Sequence, residues 1–224
     1  MYDSNQTPIS PDKGNSKTTD AQGYAYFNRN NNSTVKHGFR AHKSTYEHRS
    51  HLTLVDGGTA QQMYVITLRP RSDFTSLGFV SPVSSYTPPT MSPGVSQNFG
   101  WRYNGGLVFH QGIDLSRFSN GNSYSTTTPV YNMSGGYHRS DYSSGPNGMG
   151  HWIQTKATVG GADYYIIYMH LTSYDTTKTT KGNIIGYVGA TPNVALHLHV
   201  HIGVNSDSVA ISPLSNYLDP NVFF

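Results

Sequence analysis

An all-β fold, with an antiparallel β-sheet core and long loops, is what this sequence predicts, and three observations carry the prediction. Charged residues make up only 12% of the 224, while Tyr 17, Gly 23 and Pro 12 are abundant; this is the composition of strands and turns more than of charged helices. The apolar runs are short, β-type and separated by Gly and Pro. Helix start and stop signals are few. The same composition removes several function classes. Cysteine is absent, so there is no disulfide, thiol nucleophile or thiolate metal site. Glu47 is the only glutamate, which excludes mechanisms built on two glutamates. No apolar run approaches the ~18 residues of a membrane-spanning helix. The polar start, Met1-Tyr-Asp-Ser-Asn-Gln6, has no signal-peptide core. Net charge is +3, compatible with an anionic surface. Basic residues are densest from Lys36 to Arg49 but broken by Gly, Ser and Thr, which argues against nucleic acid as a partner.

Element by element, residues 1–34 are Asn-, Ser- and Thr-rich, with Tyr24, Tyr26 and Phe27 as their apolar cluster. Such a segment specifies no core of its own. His51-Leu-Thr-Leu-Val55 and Met63-Tyr-Val-Ile-Thr-Leu68, separated by Asp56-Gly-Gly58, predict a short β-hairpin. Ser81 to Pro93 holds four prolines in thirteen residues and reads as an extended linker. The chain therefore divides into an N-terminal arm, hairpin and linker at 1–90 and a main domain at 91–224. Strands are expected at Thr128–Tyr131, His151–Thr155, Asp163–Met169, Asn183–Val188 and Ala195–Ile202, and no fixed-period repeat is present.

Eleven histidines decide the chemistry. His37, His42, His48 and His51 precede the linker and read as surface or packing residues. Glu47 lies between histidines, yet no His-Glu-x-x-His occurs, so the zincin arrangement is absent. His110-Gln-Gly-Ile-Asp114 sets an imidazole and a carboxylate four apart; one such pair is within chance for this composition. Ala195-Leu-His-Leu-His-Val-His-Ile202 is more telling. On a strand, alternate side chains share a face, so His197, His199 and His201 would point one way and the aliphatic residues the other. A solvent face would more readily use Thr, Lys or Glu, so the pattern favours a metal site or catalysis. His138 and His151 read as structural or as substrate rim.

Taken in order, His110-x-x-x-Asp114, Tyr168-Met-His-Leu171, Lys181-Gly-Asn-Ile-Ile-Gly-Tyr-Val-Gly189 and His197-Leu-His199 resemble the M23 zinc metallopeptidases, the lysostaphin-type enzymes that cut peptidoglycan peptides. Phe99-Gly-Trp-Arg102 and Thr128-Pro-Val130 match two further motifs of that family. The resemblance runs from about Ser96 to the C-terminus. Departures lie in Thr191-Pro-Asn-Val-Ala-Leu196, one residue short of the family's usual loop. Two more are Val200 and His201, where the family has Phe and an acid or Gln.

The resemblance implies one Zn2+ per chain, held by His110, Asp114 and His199, with His170 and His197 flanking the attacking water. Which of the two histidines is the base stays open. A shifted register, with His199 and His201 as the His-x-His pair, fits the family less well. Tyr103 is the family-suggested oxyanion support, with loop packing as its plain alternative. The implied function is a zinc metalloendopeptidase, a hydrolase of peptidoglycan cross-bridges or stem peptides. A virion tail-associated lysin is the expected setting, in a phage tail or facing the cell wall from outside. The rival is a structural or binding component of a phage tail that keeps the fold with little hydrolysis. Residues 1–90 are expected to dock onto other tail proteins or copies of the chain. Alternatively the arm plugs the cleft, with Asn30, Asn31 or Asn32 supplying an amide oxygen.

Overall fold

The computed structural model describes residues 36–41, 49–54, 72–86, 99–103, 107–145, 148–205, 207 and 217–223. Strands dominate them, as composition predicts. The helical turns among the described residues are α1 (Ser72–Thr75) and a 3-10 turn at Pro220–Val222. None of their helices is long and apolar enough to cross a membrane.

The main sheet is antiparallel. Its centre is the pair β8 (Gly150–Val159) and β9 (Ala162–Leu171), joined at Gly160-Gly161, a dipeptide suited to a tight hairpin. β7 (Arg139–Ser143) flanks β8, and β12 (Leu198–Val204) flanks β9. The far edge of β12 is shared by β5 (Gly112–Leu115) and β13 (Tyr217–Leu218). A second sheet orders β10 (Ser173–Tyr174), β11 (Ile184–Tyr187) and β6 (Pro129–Tyr131). β3 (Gly100–Tyr103) pairs with β4 (Leu107–His110). The expected strands at 128–131, 151–155, 163–169 and 183–188 are all present.

Two expectations change. β2 (Arg49–Leu54) covers most of the predicted 51–55 strand, but it pairs with the upstream β1 (Lys36–Ala41); the predicted partner at 63–68 lies outside the described residues, as does the arm at 1–35. The strand expected from Ala195 begins only at Leu198. His197 instead makes an isolated bridge to Gly189, its N–H donating to the Gly189 carbonyl at 3.1 Å.

Strand alternation explains the packing. Leu198, Val200 and Ile202 turn one face of β12 into the core with Ile113, Leu115, Ile153, Ile166 and Tyr168, all nearly inaccessible. The opposite face of the same sheet carries a small apolar cluster of Trp152, Ile167 and Met169. In the β12–β9 register His199 lies opposite Met169 and His201 opposite Ile167. A single strand thus carries core on one face and histidines on the other.

Residues 72–86 also belong to this core. Phe74, Phe79 and Val83 are 2%, 8% and 1% exposed. Phe79 stacks on Phe223 at 5.3 Å and meets Tyr164 edge-on at 5.6 Å. The backbone is anchored as well: Val80 N–H donates to the Met133 carbonyl and Tyr131 N–H to that of Pro82, while Lys181 Nζ donates to Gly78 O at 2.9 Å. The division expected at residue 90 places this segment with the arm, whereas its side chains pack inside the downstream unit. Burying each such side chain contributes about 1.5–3 kcal/mol, and their sum is comparable to the ~5–15 kcal/mol net stability of a domain. A fragment of residues 91–224 is therefore expected to unfold at much lower urea concentration than one of residues 71–224. Equal midpoints by tryptophan fluorescence would show that the segment adds nothing.

Candidate metal centre

Register places the first two groups. Asp114 and His199 are directly opposed across the β5–β12 pair, so their side chains emerge on one face. Gly112 faces His201 in the same pair, and a Cβ there would lie 2.0 Å from the Val200 carbonyl oxygen. Only glycine lets β5 approach this closely. His110, the last residue of β4, stands four before Asp114 and completes the group. Asp114 Oδ1 lies 2.8 Å from His199 Nδ1 and 3.2 Å from His110 Nε2, and the two nitrogens are 3.2 Å apart. His110, Asp114 and His199 thus offer three ligand atoms within 4.8 Å of one another. Among the described residues, this is the group of acids and histidines able to hold a metal ion.

Electrostatics suit the donors to a cation. Burial pushes His199 down to about 4 against the pull of Asp114, keeping its imidazole neutral. Burial alone would raise Asp114, but the hydrogen bonds and charges of His110 and His199 outweigh it and hold the carboxyl well below its usual range. Neutral imidazole and ionised carboxylate are the forms that ligate. Two imidazoles and one carboxylate also match the donor set of open zinc sites.

The other two expected histidines are beside the group. The His170 and His197 rings are 4.5 Å apart, and His170 is 6.2 Å from His199. His197 Nε2 is 3.6 Å from Asp114 Oδ1. In each, the remote nitrogen is committed to backbone: His170 Nδ1 to Thr191 O at 2.8 Å and His197 Nδ1 to Ala195 O at 2.6 Å. A carbonyl accepts, so each Nδ1 carries the proton and each Nε2 keeps its lone pair. Burial, then the nearby His197, lowers the His170 pKa. The off-strand position of His197 therefore leaves it at the site by a different route, through the 190–196 loop rather than through strand alternation.

Sequence reasoning missed Thr191. Its carbonyl fixes His170, its hydroxyl donates to Leu171 O at 2.9 Å, and the same oxygen accepts from His151 N–H at 2.9 Å. Gly150 makes room: at φ +64, a Cβ there would lie 2.2 Å from Thr191 O. No residue-type pattern signals such a contact. His151 sits between Tyr142 (4.7 Å) and Tyr174 (5.9 Å). His138 lies edge-on to Tyr165 at 5.3 Å. Tyr103 ends β3, and its side chain lies outside the described residues. The same holds for Asn30, Asn31 and Asn32.

These shifts set a pH dependence for the metal-free protein. His199 has a folded pKa below the unfolded value of about 6.5, so between the two the unfolded chain binds more protons. The stability tied to neutral His199 is full above pH ~6.5 and is lost as pH falls towards about 4. Lowered His170 and His201 act in the same direction, and Asp114 extends the loss below pH ~4. Urea titrations in chelator at pH 7, 5.5 and 4.5 should give successively lower stability. A flat series would refute the burial-driven shifts.

No protein-family model and no curated protein matches the chain. Among solved structures it is similar to the catalytic domain of the antimicrobial peptidase lysostaphin from Staphylococcus simulans, at 26% identity over 61% of this chain and 86% of that one, with a TM-score of 0.38. For lysostaphin itself the values are 29%, 56% and 48%, with a TM-score of 0.39, so the match spans about half of that chain. A mutant of the catalytic domain of the prophage-encoded M23 protein EnpA from Enterococcus faecalis is 20% identical over 64% of this chain and 92% of that one, with a TM-score of 0.40. All three TM-scores lie below 0.5.

Proposed function

We infer that the chain is a zinc-dependent peptidase whose substrate is the peptide part of bacterial peptidoglycan. The observation that carries this reading is the convergence of His110 Nε2, Asp114 Oδ1 and His199 Nδ1 beside two further histidines with backbone-anchored rings. The motif order described from the sequence supports the substrate class. His110, Asp114 and His199 would hold the ion. When bound, zinc would polarise the scissile carbonyl and lower the pKa of a water from ~15.7 toward ~7.

The remaining chemistry belongs to His170 and His197. Each has a free lone pair at Nε2 and an Nδ1–H tied to a carbonyl, so neither ring can turn away without breaking a hydrogen bond. One takes the proton of the attacking water. The other, once protonated, stabilises the oxyanion or gives its proton to the leaving amine. The lowered pKa of His170 keeps it unprotonated at neutral pH, which suits the base role. Asp114 stays ionised and opposite His199, fixing the group's charge and orientation.

Incubation of the zinc-loaded protein with peptidoglycan from several wall types tests the reading. Mass spectrometry should find fragments with new peptide amino termini, and their release should stop with a zinc chelator. Intact peptides from every wall type would overturn it.

A further inference from the structure

His201 takes no part in the chemistry of His170 and His197, yet it touches the metal group. His199 turns Nδ1 toward Asp114 and His110, while its Nε2 lies 3.3 Å from His201 Nδ1. His201 is completely buried. A neutral imidazole has one N–H and one lone pair. If Nδ1 of His199 gives its lone pair to a cation, its proton sits on Nε2 and needs an acceptor. His201 Nδ1 is in place to be that acceptor. This fixes the His201 proton on Nε2, an atom that is buried and has no hydrogen-bond partner. Leaving a buried N–H unpaired is unfavourable. An apolar residue at 201 would avoid that cost, so the imidazole is explained by what its other nitrogen does. The ring is held upright, perpendicular to Tyr217 at 5.6 Å. On the other side it faces the close approach of Gly112.

We propose that His201 is a positioning residue for the metal group: its Nδ1 accepts the Nε2–H of His199 and so holds Nδ1 of His199 toward the ion. The proposal rests on the zinc reading given above. Ligand histidines are commonly oriented by such a partner, whose loss weakens metal binding by about 10–100-fold. A neutral imidazole acceptor fits this apolar site, lined by Ile167 and Tyr217, without adding a second buried carboxylate.

Zinc affinity, measured by competition with a chromophoric chelator, separates positioning from space filling. His201→Phe keeps an aromatic ring and removes the acceptor; it should bind zinc about 10–100-fold more weakly. His201→Asn places Oδ1 close to where Nδ1 stands and should recover most of that loss, although it fills the space less well. Long-range nitrogen–proton spectra of the zinc-loaded wild-type protein give a readout that needs no variant. They should show His201 protonated at Nε2 and bare at Nδ1, with His199 protonated at Nε2. Wild-type affinity in His201→Phe, or a proton on His201 Nδ1, overturns the proposal while leaving the zinc site standing. A wild-type protein that binds no zinc overturns both.

Discussion

The His199→Ala protein, equilibrated with excess zinc and then freed of unbound ion, is expected to carry almost no metal and to release no peptidoglycan fragments. The alanine removes one of three donors and leaves His110 and Asp114, an i,i+4 pair with two ligand atoms. Loss of a direct ligand should weaken affinity by more than the ~10–100-fold typical of losing an outer partner. Asp114 is affected at the same time, because hydrogen bonds from His110 and His199 are what offset its burial. With one of them gone its carboxyl titrates higher and is a poorer ligand near neutral pH. Asp114→Asn provides the matching test with little change in volume. Elemental analysis decides the matter: near-stoichiometric zinc in either variant would reject the ligand set.

Removing His170 or His197 should have a different signature. Zinc should remain and the fold should persist, while hydrolysis falls ~10²–10⁴-fold, the usual contribution of a proton-transfer group. The two histidines lie near the group, but their Nδ1 atoms are bound to Thr191 and Ala195 carbonyls. The choice of substitution matters at 170, where φ is +63. Asparagine tolerates that left-handed conformation better than alanine, so His170→Asn isolates the imidazole from the backbone, and His197→Ala is adequate at the other position. If either variant loses its metal and regains activity when zinc is added back, ligand and catalyst have been exchanged.

The site was easier to read in the sequence than the path of the chain around it. Asp114, His199 and the end of β9 at His170 come together because two strand pairings, β5–β12 and β12–β9, bring distant residues into register. His110 stands four before Asp114, and His197 arrives from the loop before β12. β8 and β9 were visible through their apolar runs. β4 and β5 were not, since Leu107–His110 and Gly112–Leu115 are only four residues each, too short for an apolar run or an alternation to stand out, and they are held by their neighbours. β7 is a half-exposed edge strand, Arg139-Ser-Asp-Tyr-Ser143, and shows no apolar signal. The proline-rich composition near residue 82 does predict extended chain, but composition cannot say whether such chain spans solvent or covers a core. Pro82 and Val83 cover it. The alternation of three histidines suggested one shared face, and the face is shared by only two, because strand pairing with β5 begins at Leu198.

The spacing of the donors along the chain bears on when the site can exist during synthesis. His110 and Asp114 emerge from the ribosome almost together, whereas His199 follows them by 89 and 85 positions. β5 has no place to dock until β12 has been made, and β12 in turn needs β9 beside it. Contacts of such long sequence separation form late, after the local hairpins. A nascent chain that has reached Leu171 already holds both proposed ligands from the first half and the β8–β9 hairpin, yet it lacks the third donor and the strand that would carry it. Premature termination anywhere before His199 therefore yields a polypeptide without the metal group.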